Sequence, residues 1–192
     1  MSSIRLKHSS GNSMSIEAPA SNPASDLSLK LPSTVGAAGQ VLKNGSTAGT
    51  LEFGSTHFFE VKISANVSYN GAFSAGLATL VPYNTENYDI GSNFNTSTHL
   101  YTVPETGLYQ FFASIVLNGD NFASQGWLVV NGSRASFTDW VQSTGDDFLN
   151  TAHLLYLTAG DTVGYHLYTA TNGATTILES NNHTWFKGYK CN

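Results

Sequence analysis

Six histidines are the first residues in this chain that could do chemistry, and their spacing gives them no shared task. His8, His57, His99, His153, His166 and His183 form no His-Glu-x-x-His pair. The single cysteine, Cys191, offers no thiolate set to complete a zinc site. These histidines read as turn and strand residues. Serines are abundant, but no Gly-x-Ser-x-Gly elbow occurs, and no glycine-rich stretch stands between a strand and a helix as a phosphate cradle requires. Asp146-Asp147, with Asp120, Asp139 and Asp161, are the oxygen donors a hard cation prefers. Adjacent aspartates in a loop are more often solvated turn residues. No catalytic, cofactor or metal residue is therefore assigned, and calcium is the one ion these carboxylates leave open.

Carbohydrate chemistry is the other candidate. A glycosidase needs two carboxyl groups about 5 to 9.5 Å apart across a cleft, a separation that the fold sets and the spacing does not signal. Trp127, Trp140 and Trp185, with Tyr83, Tyr88, Tyr165 and Tyr168, could stack on sugar rings. Aromatics on alternating strands more commonly fill a core or a subunit interface. Trp140, in the polar run 136–147, and Tyr83 and Tyr88 in 83–93 make the candidate ligand surface. The expected class is not an enzyme.

The elements that would position these side chains are strands. In FNTSTHLYTVPETGLYQF, Phe94 to Phe111, Leu100-Tyr101-Thr102-Val103 alternates like a half-buried strand. Pro104 removes a ladder donor and ends it, and Gly107 permits the turn into 108–112. Other strand pieces are Phe73 to Leu77, Leu128 to Val130 running into an Asn131-Gly132 turn, 152–167 jointed at Gly160-Asp161, and a closing strand over 184–189. In this order they resemble the complement globular-head, or tumour-necrosis-factor-like, jelly rolls, over about residues 58–189. The resemblance implies an all-β antiparallel jelly-roll sandwich that forms a homotrimer. It also implies aromatic and aliphatic side chains along the three-fold axis, where Tyr109, Phe111, Leu155, Leu157 and Tyr165 are placed. Leu154-Leu155-Tyr156-Leu157 is apolar on both faces, as a sandwich core or an oligomer interface demands.

Composition agrees. With 192 residues and 41% hydrophobic content, the chain can bury a sizeable single core. Charged residues make up only 11%, against ~25% in ordinary globular domains. Solubility then rests on Ser, Thr, Asn and Gly, a neutral surface suited to packing against further copies. A net charge of -5 without clustered Lys or Arg excludes electrostatic capture of nucleic acid. The apolar runs are of strand length, too short for a helical membrane span.

The start MSSIRLKHSSGNS lacks the apolar core and cleavage site of a secretory signal, and no Gly-x-y stalk appears. One cysteine allows no intrachain disulfide. The expectation is assembly inside the cell. Asn-x-Ser/Thr sequences at Asn44, Asn66, Asn95, Asn131 and Asn182 then carry no meaning.

Two domains are expected, an extended arm over 1–55 and the jelly roll over 56–192. In the arm, short alternating pieces (Ile4 to Lys7, Met14 to Ile16, Leu27 to Leu31, Val41-Leu42, Leu51 to Phe53) recur between turn residues. Each is too short to build a sheet alone, so the segment needs partners. Asn22-Pro23-Ala24-Ser25-Asp26, Leu29-Lys30-Leu31-Pro32 and Gly39-Gln40-Val41-Leu42 resemble the starts of phage tail-fibre and other virion proteins. That resemblance implies attachment to a capsid or tail protein, for which Ile4, Leu6, Ile16, Leu29 and Leu31 are the candidate contacts. The expected function is a trimeric virion spike or fibre, assembled in the host cytoplasm, whose head faces outward toward a host-surface glycan or protein. Capsid decoration, favoured by the short arm, and a complement-like soluble binding module are the alternatives.

Overall fold

A computed structural model describes residues 3–7, 9–11, 13–17, 20–21, 23, 28–37, 40–69, 79–119, 122–137, 141–143, 145–169, 175–179 and 183–191. For 3–7, 13–17, 69, 122, 137, 141–143, 169 and 175 only the backbone is described. The chain divides into two compact units, Met1–Gly54 and Ser55–Asn192.

Among the described residues the first unit holds two hairpins. Strand β1 (Ser3–Lys7) pairs antiparallel with β2 (Ser13–Glu17), with Arg5 opposite Ser15. Strand β3 (Gln40–Asn44) pairs with β4 (Leu51–Ser55), and a parallel bridge joins Lys30 to Thr50. Gly49, at φ +77°, turns the chain into β4 beside the Ser28 carbonyl, where a Cβ would lie 2.7 Å from the oxygen. Leu29, Leu31, Val35, Val41 and Leu42 stay exposed. A two-stranded ribbon has no second layer to cover its apolar side chains.

The second unit is a two-sheet sandwich, as expected. One sheet contains β5 (Phe58–Lys62), β6 (Val67–Tyr69), β8 (Thr85–Ile90), β11 (Gly107–Gly119), β15 (Asp147–Leu157), β17 (Thr175–Leu178) and β18 (Trp185–Lys190). The other contains β7 (Thr79–Leu80), β9 (Phe94–Asn95), β10 (Leu100–Thr102), β12 (Phe122–Val130), β13 (Ser133–Phe137), β14 (Val141–Ser143) and β16 (Thr162–Thr169). All named pairings are antiparallel. Strand β11 is the spine of the first sheet. It carries β15 along one edge and β18, then β17, along the other, and β18 leads on to β5 and β8.

Alternation decides what enters the core. Tyr109, Phe111, Ala113, Ile115 and Leu117 of β11 point inward, meeting Phe59 and Val61 of β5, Phe186 of β18 and, across the sandwich, Tyr101, Leu128 and Tyr165. The rings pack in offset stacks and edges: Phe59 on Tyr101 at 4.5 Å and 17°, Phe111 on Phe186 at 5.9 Å and 20°. Strand β10 ends before Pro104, as the sequence predicts. The reason for Gly107 is different from the one expected. It adopts no positive φ and lies within β11, where a Cβ would come 2.9 Å from Lys190 Cε. The Asn131-Gly132 pair does make a tight hairpin between β12 and β13, with φ of +50° and +77°.

Candidate functional site

The outward face of the β15–β11–β18–β5–β8 sheet is where this sandwich departs from an ordinary soluble domain. Cross-strand register sets its rows. Leu154, Gln110, Tyr189, Phe58 and Ile90 form one row across five strands. On one side of it lie Tyr156 opposite Leu108, and on the other Ala152, Phe112, Lys187, Glu60 and Tyr88. Phe148, opposite Val116, shares the face further along β15.

Among the described residues, the large apolar side chains left exposed in the second unit are Phe58, Tyr88, Ile90, Leu108, Phe148, Leu154, Tyr156 and Tyr189, and all of these lie on this face. Tyr156 is the most open, at 74%. Scattered exposed hydrophobics are normal, but concentration of them on one sheet face marks a surface built to be covered.

Two of the charges on the face pair with each other, and Lys62, opposite Trp185 on β5, adds a further cation. Glu60 receives Lys187 Nζ at 3.7 Å, Asn87 Nδ2 at 2.7 Å and the Tyr88 hydroxyl at 3.3 Å. Lys187 also sits 3.9 Å from the centroid of the Trp185 ring. Burial pushes the Tyr88 phenol above its ordinary pKa, and the neighbouring Glu60 charge and hydrogen bond push it the same way. The ion pair is thus satisfied within one chain.

Comparison with known proteins places this fold. A family model described as the C1q domain matches residues 59–190. The chain belongs to the C1q domain family. Among solved structures, the globular domain of zebrafish complement 1qA is similar at 16% identity and a TM-score of 0.52, covering 71% of this chain and 98% of that one. Murine APRIL at pH 5.0 gives 13% identity and 0.52 over 71% and 100%. Eiger TNF from S. frugiperda gives 13% and 0.51 over 71% and 92%. These likenesses concern the fold. A search of curated proteins found no match.

Within the C1q domain, several expected site residues fall elsewhere. Tyr109, Phe111 and Tyr165 are fully buried and Leu157 nearly so, all in the chain's own core, while Leu155 packs against that core. They cannot line an axis between copies. The reason is parity: Leu155 and Leu157 lie opposite Tyr109 and Gly107, on the inward side of β15, so Leu154 and Tyr156 are the outward pair. Tyr83, expected at a ligand surface, is 0% exposed, its ring 5.7 Å from Phe186 and its hydroxyl 3.5 Å from the Trp185 carbonyl. Tyr88 is on the apolar face instead of a loop tip. Trp140, Asp120 and Asp139 lie outside the described residues.

The remaining candidates have local work. Asp146 accepts from Asn118 Nδ2, and Asp147 Oδ1 accepts the Phe148 N–H at 2.7 Å. Asp161 accepts from Asn131 Nδ2 at 2.7 Å and from the Thr158 N–H at 2.7 Å, which holds its carboxyl below the usual range. Among the described residues no group of three or more His, Cys, Asp or Glu side chains is placed to hold a metal ion. Trp127 stacks on Tyr168 at 5.2 Å and 7°, and the Arg134 guanidinium lies over its ring at 4.6 Å, so the indole is already engaged within the chain.

In the first unit, Ile4, Leu6 and Ile16 lie in the β1–β2 hairpin, where Ile4 pairs with Ile16, and their side chains are outside the description. Leu29 and Leu31 are exposed, at 65% and 74%. Of the surface residues not marked from the sequence, Leu108, Gln110, Leu154, Tyr156 and Tyr189, only Leu154 and Tyr156 carried a signal: a strand apolar on both sides, with the outward side unassigned.

Proposed function

We propose that the protein is a homotrimeric binding head of C1q type, carried on a phage virion by its amino-terminal unit. The observation that supports self-association is the apolar outward face of the β15–β11–β18–β5–β8 sheet. A second copy is the occupant that fits it, because the face is mainly apolar and its Glu60 and Lys187 already pair within the chain. The chain as a whole carries -5, so an acidic partner would be repelled and a basic one would find no local charge to meet. The C1q domain family is one of binding modules, and the loops at the ends of the sandwich remain free for a host-surface glycan or protein when the sheet face is covered.

Placement on a virion rests on the motifs of residues 22–42 and on the exposed Leu29, Leu31, Val35, Val41 and Leu42 of the first unit, which need another protein to cover them. Deleting residues 1–55 is expected to leave a soluble trimeric head that no longer enters particles. Normal incorporation of the truncated chain would overturn the attachment role. Imaging of intact particles separates a tail spike from capsid decoration, and a protein found free of particles in the medium would favour a soluble complement-like module.

A further inference from the structure

Gln110 is the one amide in the row Leu154–Gln110–Tyr189–Phe58–Ile90, whose other members are aliphatic or aromatic, and it stands on β11, the spine of the sheet. Its carboxamide is nearly unused. Nε2 donates to the Phe111 carbonyl at a long 3.5 Å, and no other partner holds the amide among the described residues. The nearby charges differ in this respect, since Glu60 and Lys187 already satisfy each other within the chain.

A face that becomes covered cannot leave this amide unpaired without cost. An amide has a property that carboxylates and ammonium groups lack: it both donates and accepts, so identical copies related by rotation can bond head to tail around an axis without charge repulsion. Single polar groups in otherwise apolar interfaces fix register and copy number in just this way, at some cost in affinity.

We propose that Gln110 sets the register and copy number of the self-association face, its carboxamide meeting the Gln110 carboxamides of the other copies at the symmetry axis. This rests on the reading of that face as the contact between copies. The flanking apolar residues supply affinity, and Gln110 makes one arrangement preferred over slipped or larger assemblies.

The test uses the full chain and its Gln110→Leu and Gln110→Glu variants, measured by sedimentation and native mass over a dilution series, with circular dichroism to follow the fold. Wild type is expected as a single trimer. Gln110→Leu should still associate but spread over several oligomeric states. Gln110→Glu brings like charges together at the axis and should weaken association about a hundredfold or more with an unchanged spectrum. A Gln110→Glu trimer as tight as wild type, or a Gln110→Leu protein that remains one clean trimer, overturns the role of Gln110 while leaving the face intact. A monomeric wild type overturns the self-association reading itself, and Gln110 with it.

Discussion

Gly188 crosses Phe111 so closely that a Cβ on it would stand 2.6 Å from the ring's Cδ1 and 3.0 Å from the Gln110 carbonyl oxygen. Phe111 cannot retreat. It is fully buried and held between Tyr109 at 6.2 Å and Phe186 at 5.9 Å. Gly188→Ala is therefore expected to destabilise the head by about 1–3 kcal/mol, the usual cost of overpacking a well-filled core. Chemical denaturation of the purified protein measures it, and a variant within 0.5 kcal/mol of wild type, about the scatter of neutral surface changes, would refute the tight packing.

Tyr165 poses the opposite case. Its ring fills the core, yet its hydroxyl is buried with no hydrogen-bond partner among the described residues. Burial pushes its phenol well above the ordinary value, and Tyr101 is raised in the same way. A raised folded pKa means the stabilisation is intact below the unfolded phenol value, about 10, and is lost as pH climbs beyond it. Tyr165→Phe removes both the unpaired hydroxyl and this liability. It should be neutral to stabilising at pH 7 and should move the alkaline unfolding midpoint upward; a loss of stability at pH 7 would reveal a bond the hydroxyl makes.

The contrast between these residues marks what the sequence could say. Pro104, Asn131-Gly132 and Gly160-Asp161 act through local backbone chemistry, so strand ends and hairpins near them were legible. Gly188 and Gly107 owe their places to side chains on other strands, Phe111 and Lys190, and nothing in their own neighbourhood announces that. The site was half legible for the same reason. Leu154 to Leu157 is apolar on both sides, which signalled a second buried surface. Which side faces the core depends on Leu155 pairing with Tyr109, a choice made between distant strands. Tyr83 sits among polar residues in sequence but is drawn under Phe186 by the sandwich.

Asp161 gives an acid-side prediction. Its carboxylate ties the start of β16 to the Asn131 turn and to the Thr158 N–H, and these bonds depress its pKa. A depressed folded pKa contributes stability that is present above the unfolded carboxylate value, about 3.9, and is lost as pH falls through the folded one. Melting curves of wild type and Asp161→Ala should differ at pH 6 and converge as pH drops below about 4. A constant gap down to pH 2 would mean that the bonds do not depend on the charge.

Leu154 and Tyr156 separate folding from assembly. Both point away from the core, at 52% and 74% exposure, so replacing them with Ser should leave one chain's stability within about 0.5 kcal/mol of wild type. If copies meet on this face, each replacement removes apolar surface that only the assembly buries, worth about 25 cal/mol per Å². The double variant Leu154→Ser, Tyr156→Ser is then expected to sediment as a folded monomer at concentrations where wild type is a trimer. The matching inward change, Leu155→Ser, should unfold the head instead, because Leu155 packs against the core beside Tyr109. Equal loss of folding from both changes would show that the outward face belongs to the chain's own core; a double variant that still assembles would place the contact between copies elsewhere on the sandwich.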